Sequence, residues 1–228
     1  MDEPNLSEAF FHLIERTRTA TVTAVGLVVR REIRCLRLPE QEVLAVVHTS
    51  LRTAGGGGGI ECRRVVESDG VRLISETRIV GPFWAPARVW IRDRLENERG
   101  EVEQSGWKPV EPSSAMADLG LLLMLDPIGS LIPNIDPEGS GGATVSHEGG
   151  RTLIHFQADM RIEGGGISGT ARTSAEVDEN DPSTIRLSAR GLIGPVAFEL
   201  TQVSGPAEPI RIVDPSPSER EPVRSLVH

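Results

Sequence analysis

The chain has 228 residues, a length that fits one large all-β domain or two small ones. Hydrophobic residues make up 38% and charged residues 25%, so the sequence predicts a packed core rather than global disorder. A net charge of -9, an aromatic content of 4% and the lack of tyrosine argue against a nucleic-acid partner, which needs basic and base-stacking surfaces. The apolar runs are also shorter than the roughly 18 residues of a membrane span.

The first segment predicts an amphipathic helix. Asn5 and Glu8 have the spacing of a capping box. The helix is expected to end around Thr17, where β-branched residues begin. Its apolar face consists of Leu6, Phe10, Leu13 and Ile14.

A first group of five or six β-strands is predicted from Val- and Thr-rich or alternating segments. Ser68-Asp69-Gly70 predicts a hairpin turn between two of the strands, and the glycines at 55–59 predict a flexible loop or hairpin tip. The predicted strands cover 20–30, 43–51, 60–67, 71–80 and 88–95.

Two helices are predicted in the middle of the chain. The first, Ala115–Leu125, has almost no polar face, so it must be covered on most sides. The second is a short helical turn that Asp126 caps and Pro133 ends.

A second group of about five strands follows. The segment 154–162 is apolar at every even position and polar at every odd one, which is the period of a strand with one covered face. The proline-containing segment 215–228 is expected to be a disordered tail. From the residue pattern, the predicted strands cover 154–162, 185–190, 196–201 and 210–212.

These elements predict an α+β fold built on one large antiparallel sheet of about ten strands. A sheet of that size must curl, so we expect a half-barrel. The N-terminal helix and the mid-chain helix pair would cover its concave face, within a single domain over 1–214. The pattern leaves open whether the interior is filled or hollow.

The order of elements resembles the LolA-like lipoprotein-carrier superfamily and, within it, the LppX/LprG type of lipid-binding lipoprotein. The resemblance covers roughly residues 6–215, and the order of elements carries most of it. It includes the stretch Ala87–Arg92 followed by Gly106-Trp107, and the leucine-rich helix running into Leu125-Asp126-Pro127. A strand pair at 152–162 and 167–177 and a final strand with a Gly205-Pro206 turn follow. The resemblance implies a half-barrel that helices close around a cavity for acyl chains.

On this interpretation the protein binds and transports a lipid or a lipoprotein acyl chain without catalysis. Burial of each CH₂ group contributes about 0.8 kcal/mol, so no specific polar residue is needed for affinity. We expect a monomer that needs no cofactor and contacts a membrane surface. The expected ligand-binding residues are Leu119, Leu122, Leu123, Leu125, Ile128, Leu131, Phe156, Met160 and Phe198.

Two rival interpretations remain. One is a cytoplasmic cyclase or isomerase that acts on a hydrophobic metabolite inside a similar barrel, with Glu76 or Glu199 as a general base, although outward-facing charges are favoured for both. The other is a sensor or structural domain in which the leucine-rich helix is solid core. The sequence lacks the Gly-x-Ser-x-Gly nucleophile motif.

The five histidines lack zinc-type spacing, so no metal site is expected. His147 and His155 flank the Gly149-Gly150 turn and could face each other on neighbouring strands.

Cys35 and Cys62 are either free thiols or one disulfide. The first residues lack the basic and apolar regions of a secretory signal. We therefore expect either a cell-envelope protein whose export signal lies upstream or a cytoplasmic one.

Overall fold

The computed structural model describes residues 12, 15–20, 24–54, 58–82, 85–112, 124–128, 141–164, 167–221 and 223–225. Residues 15–20 are helical, and a 3₁₀ helix spans Pro217–Arg220. The β-strands are β1 Leu27–Arg37, β2 Glu42–Thr53, β3 Gly59–Ser68, β4 Val71–Val80, β5 Arg88–Glu96, β6 Val102–Gln104, β7 Lys108–Val110, β8 Gly141–Glu148, β9 Arg151–Gly164, β10 Ile167–Asp178, β11 Ile185–Ile193, β12 Val196–Pro206 and β13 Val223–Ser225.

All the strands of the described residues belong to one antiparallel sheet. Its order is β13-β6-β5-β4-β3-β2-β1-β12-β11-β10-β9-β8, with β7 paired to β5. Within the described ranges β13 and β8 end the sheet without pairing to each other, so the sheet is open. A large open sheet is consistent with the predicted half-barrel. The strand count is thirteen rather than about ten, partly because β6, β7 and β13 have only three residues each.

The first and last long strands join the two halves of the sheet. β1 pairs with β2 on one side and with β12 on the other, in register from Leu27 opposite Pro206 to Arg37 opposite Val196. The two predicted groups of strands therefore form one continuous surface across the centre of the sheet.

One face of this sheet carries the apolar core. We call it the inner face and define it by Leu27, Leu51 and Ile79 in the N-terminal half and by Phe156 and Ile185 in the C-terminal half. These side chains follow the strand alternation, since Phe156 pairs with Ala175 and Ala175 with Leu187. The opposite side, the outer face, carries mostly polar and charged residues in ion pairs.

Two sequence predictions are confirmed in detail. The even positions of 154–162 lie on the inner face of β9, with Phe156, Ala158 and Met160 buried. The β3–β4 hairpin turns at Asp69-Gly70, where both residues have positive φ (47° and 72°), the geometry that the Asp-Gly pair favours.

The N-terminal predictions need correction. The helix continues to residue 20 instead of ending around Thr17, and the first strand begins at Leu27 instead of residue 20. The apolar face of the predicted helix, at residues 6, 10, 13 and 14, lies outside the described residues.

The C-terminal predictions also need correction. The predicted strand 210–212 is irregular backbone. Part of the predicted disordered tail has regular structure, because Pro217–Arg220 forms the 3₁₀ helix and Val223–Ser225 pairs with β6. This segment is held on the outer face, where the indole Nε1 of Trp90 donates to Asp214 at 2.9 Å and the Arg220 guanidinium stacks on the Trp90 ring at 4.5 Å.

The described residues do not confirm the predicted mid-chain helix pair. Of 115–133 only 124–128 is described; residues 124 and 125 are helical, and 126–128 form a bend and turn. In the described part of the chain, no helix has both the length and the apolar character to cross a membrane.

Candidate ligand-binding face

A short mid-chain segment, 124–128, lies on the inner face and contacts both halves of the sheet. Met124 and Leu125 are buried in the cluster formed by β1–β5, with Leu27, Leu51 and Ile79. Ile128, which is fully buried, belongs to the other cluster with Phe156 and Ile185. We call 124–128 the covering segment, because its two ends pack in two different apolar clusters of the described residues.

Polar contacts hold the covering segment in place. The side-chain amide of Gln202, in β12, donates to the carbonyl oxygen of Met124 at 3.1 Å and is buried. Arg18, in the N-terminal helix, forms an ion pair with Asp126. Side-chain packing and the Gln202 hydrogen bond, rather than strand pairing, attach the segment to the sheet.

Beside the covering segment, a row of polar residues crosses the inner face. Gln202 lies opposite Arg31, Arg31 opposite Thr49, and Thr49 opposite Arg64. The row continues through Ser75 in β4 to Asp93 in β5. Since directly paired residues point to the same side of a sheet, all six belong to the inner face. We call them the polar row.

Arg31 and Gln202 are bonded to each other within this row. The Nε of Arg31 donates to Oε1 of Gln202 at 2.7 Å. Burial and, to a lesser extent, the positive charge of Arg64 lower the pKa of Arg31 to about 10. The two guanidinium groups therefore affect each other within a partly desolvated region.

A row of apolar residues lies beyond the polar row, on the side away from the buried clusters. Ile33 pairs with Val47, Val47 with Val66 and Val66 with Leu73. Leu73 pairs in turn with Leu95, and these two leucines are 39% and 43% exposed. A cleft of about 360 Å³ opens beside them, lined also by Asp93, Glu103 and Lys108. The inner face thus keeps accessible apolar surface next to its charged groups.

Five of the nine expected ligand-binding residues are described, and all five lie on the inner side. Leu125 and Ile128 belong to the covering segment, while Phe156, Met160 and Phe198 point to the inner face from β9 and β12. Ile128 and Phe156 share one apolar cluster, and Leu125 belongs to the other. Phe198 is half-buried. Leu119, Leu122, Leu123 and Leu131 lie outside the described residues. Ligand contact at all nine positions stays a prediction.

Both candidate general bases lie on the outer face. This agrees with the favoured interpretation of them as outward-facing charges. Glu76 accepts from Nε of Arg92 at 2.8 Å, and Glu199 pairs with Arg190 at 3.3 Å. Neither carboxylate points toward the apolar clusters, so neither is in position to act on a ligand held on the inner face.

The predicted proximity of His147 and His155 is wrong. His147 pairs in register with Thr152, and His155 pairs with Thr144, so the two rings lie on opposite faces. His155 bonds to Ser146 Oγ at 2.8 Å on the outer face. No cluster of three potential metal ligands occurs among the described residues.

The two cysteines are free thiols. Both lie on the inner face, but Cys35 pairs with Ala45 and Cys62 with Leu51, six positions apart along β2. Six residues of strand span roughly 20 Å, and a disulfide needs Cα atoms within about 7 Å of each other. Burial raises the pKa of the Cys62 thiol to about 11.

Sequence reasoning assigned no site role to Arg31, Arg64 and Gln202. Residues two apart in a strand point to the same face. Arg31 therefore shares a face with Val29 and Ile33, and Arg64 shares one with Cys62 and Val66. This parity marks each as a charged residue on an apolar face. For Arg31 it becomes visible only when β1 is placed at Leu27–Arg37, because the predicted strand ended at residue 30.

No protein-family model matches the chain, and no curated protein matches it. Among solved structures, a DUF1329 family protein from Desulfovibrio piger is similar at a TM-score of 0.31 and 12% identity, over 88% of this chain and 91% of that one. An outer membrane lipoprotein-sorting protein domain from Vibrio parahaemolyticus is similar at a TM-score of 0.27 and 9% identity, over 88% and 92% of the two chains. Both similarities are distant, so we derive the function from the contacts within this chain.

Proposed function

We propose that this protein is a non-enzymatic carrier that binds the acyl chains of a lipid or lipoprotein on the inner face of its sheet. The observation that carries the proposal is the covering segment, in which Met124 and Leu125 bury against one half of the sheet and Ile128 against the other. Displacement of this one segment would uncover apolar surface on both halves of the sheet.

The attachment of the covering segment supports a reversible opening. The segment is bonded to the sheet through Gln202 and to the N-terminal helix through Asp126. An acyl chain that replaces Met124, Leu125 and Ile128 restores the apolar contacts that the sheet loses when the segment leaves. Exchange between segment and ligand then costs little, because each CH₂ group of the ligand contributes about 0.8 kcal/mol.

The accessible apolar row supports the same function. Leu73 and Leu95 are large, exposed side chains on the inner face and line the cleft at the β6 end of the sheet. They offer an acyl chain a place to begin binding before the covering segment moves.

Acyl-probe binding tests the proposal. The delipidated full chain should bind a fluorescent C16 fatty acyl probe with saturation, and Leu73→Asp should weaken binding about tenfold because it puts a charge beside the acyl chain. Val203→Asp is the matched control, since Val203 is 51% exposed on the outer face. No saturable binding by the unaltered chain, or equal loss in both variants, would contradict the proposal. A carrier of this kind would act in the cell envelope, which fractionation of the native host tests.

A further inference from the structure

One side of the cleft beside Leu73 and Leu95 is formed by a very short strand. It consists of the three-residue strand β6 and of Ser105, which follows it, and we call these residues the cleft wall. The N–H of Ser105 donates to the Asp93 carbonyl at 2.8 Å, and its hydroxyl accepts from the Asp93 N–H at 3.0 Å. β6 itself pairs with β5 over only three residues. Because so short a pairing is weak by itself, further contacts decide how firmly the wall is held.

The C-terminal part of the chain supplies such contacts. β13 pairs with β6 on the side away from β5. The carbonyl oxygen of Glu219 accepts a hydrogen bond from the N–H of Trp107 at 3.0 Å. Gly106, directly after the wall, lies so close to the clasp that a Cβ there would be 2.0 Å from the carbonyl oxygen of Arg220. The name clasp denotes 214–220 together with β13.

Side chains anchor the clasp to the two strands that form the rest of the cleft. Asp214 accepts from Nε1 of Trp90 at 2.9 Å and forms an ion pair with Arg88 at 2.6 Å, both in β5. Glu219 forms an ion pair with Arg78 of β4 at 3.3 Å. The clasp therefore ties the cleft wall to β4 and β5 from the outer face of the sheet.

The strength of these anchors allows the clasp to leave and return. The side chains of Arg88 and Glu219 are 58% and 39% exposed, and ion pairs at exposed positions contribute little stability. The connection from β12, residues 207–213, is irregular backbone in which Val213 is 50% exposed. Trp90, in contrast, is 7% exposed and gains exposure on release, which favours the closed state. Local opening of such a segment costs less than unfolding of the sheet.

We propose that the clasp regulates the entry of acyl chains into the cleft. While it is bound, the cleft wall is fixed against β5; its release lets the wall move and speeds both the uptake and the discharge of ligand. The effect falls on rates more than on affinity, because the apolar surface that binds the acyl chain is the same in both states. The inference rests on the proposed carrier function and adds a control element to the same site.

Gly106→Ala tests the proposal, because its added methyl group must displace the backbone of Arg220. The delipidated full chain is mixed with a fluorescent C16 fatty acyl probe in a stopped-flow instrument, and both rates are measured. We expect Gly106→Ala to raise the association and dissociation rates about fivefold, the factor that loss of one backbone hydrogen bond implies. Amide hydrogen exchange in 217–220 and β13 should become faster in the same variant.

The matched control is Gly142→Ala, in β8, where an added Cβ meets no atom within 4 Å. It should keep the rates of the unaltered chain. A second variant, Asp214→Ala/Glu219→Ala, removes two anchors of the clasp without a change in the cleft wall and should raise the rates in the same way. It decides the test if Gly106→Ala does not fold. Glu208→Ala/Glu221→Ala, which removes two exposed carboxylates of the same part of the chain, is its control.

Three results would overturn the inference. Saturable binding with unchanged or slower rates in both clasp variants, despite faster hydrogen exchange in the clasp, removes the regulation but leaves the carrier function standing. No saturable binding by the unaltered chain removes both. Unchanged hydrogen exchange of the clasp in Gly106→Ala contradicts the contact between Gly106 and Arg220 on which the inference depends.

Discussion

Gln202 joins the sheet to the covering segment through its bond to the carbonyl oxygen of Met124, and the same side chain accepts a hydrogen bond from Arg31. One buried amide therefore couples the position of the covering segment to the orientation of a charged group on the inner face. If the segment moves away, the hydrogen bond between Gln202 and the Met124 carbonyl breaks. Gln202, the hydrogen-bond partner of Arg31, is then held less firmly.

Gln202→Leu should destabilise the protein and loosen the covering segment. It removes both hydrogen bonds at a buried site, including the acceptor of a charged donor, so we expect a loss of about 2–3 kcal/mol in unfolding free energy. Urea denaturation measures this loss, and amide hydrogen exchange should become faster in 124–128. Thr201→Ala, next to it on the exposed side of β12, is the control and should change the stability by less than about 0.5 kcal/mol. An unchanged exchange rate in 124–128 would show that Gln202 does not hold the segment.

Ile128→Ala should be one of the more damaging single truncations in the C-terminal half. Ile128 is fully buried against Phe156 and Val177, so its removal leaves a cavity and should cost about 2–5 kcal/mol. Val145→Ala serves as the control because Val145 is 61% exposed on β8. Comparable urea midpoints for the two variants would mean that the covering segment is not packed on the sheet in solution.

The two thiols should differ in reactivity. Cys62 is buried, and burial raises the pKa of its thiol to about 11, so it is protonated and shielded at pH 8. Cys35 is only half-buried. Iodoacetamide at pH 8 should therefore label Cys35 alone in the folded protein and both cysteines in urea, as peptide mass spectrometry would show. Rapid labelling of Cys62 in the native state would contradict the burial of β3 under the covering segment.

Acid should release the C-terminal segment from the outer face. The backbone N–H of Ser216 at 2.8 Å and its hydroxyl at 3.0 Å hold the pKa of Glu219 below its usual 4.5. An ion pair with Arg78 of β4 at 3.3 Å lowers this pKa further and joins the segment to the sheet. A lowered pKa in the folded state contributes stability that is present above pH 4.5 and is lost as the pH falls through the lower folded value. Tryptophan fluorescence should report the release, because Trp90 stacks with Arg220.

A truncated chain that ends at Asp214 is the control for this titration. It lacks Glu219 and Arg220 and should show no fluorescence transition of this kind below pH 4.5. The same transition in both chains would assign the change to other carboxylates.

The parts of the fold that sequence predicted well are those in which local pattern and tertiary environment agree. β9 alternates because its inner positions are buried and its outer positions face solvent. The Asp69-Gly70 turn is fixed by the backbone preferences of its own residues. In contrast, β1 carries charges on both faces, since Arg31 points to the inner face, and its pattern is too mixed to locate the strand.

The missed elements depend on long-range contacts. β6, β7 and β13 are three-residue strands, which are too short to show a period. The C-terminal segment has the composition of a disordered tail, but its ends are fixed by Trp90 and by β6, partners more than a hundred residues away. The polar row is invisible in the sequence for the same reason, because its members come from six strands and meet only through register.

The proposed carrier function depends on an apolar ligand taking the place of the covering segment on the sheet. Native mass spectrometry of the full chain, purified from its own host without detergent, measures this directly. The account predicts a population heavier by the mass of one lipid, which organic extraction removes and which returns when the extracted lipid is added back. A single unliganded mass before and after extraction, with no uptake of added lipid, would contradict it.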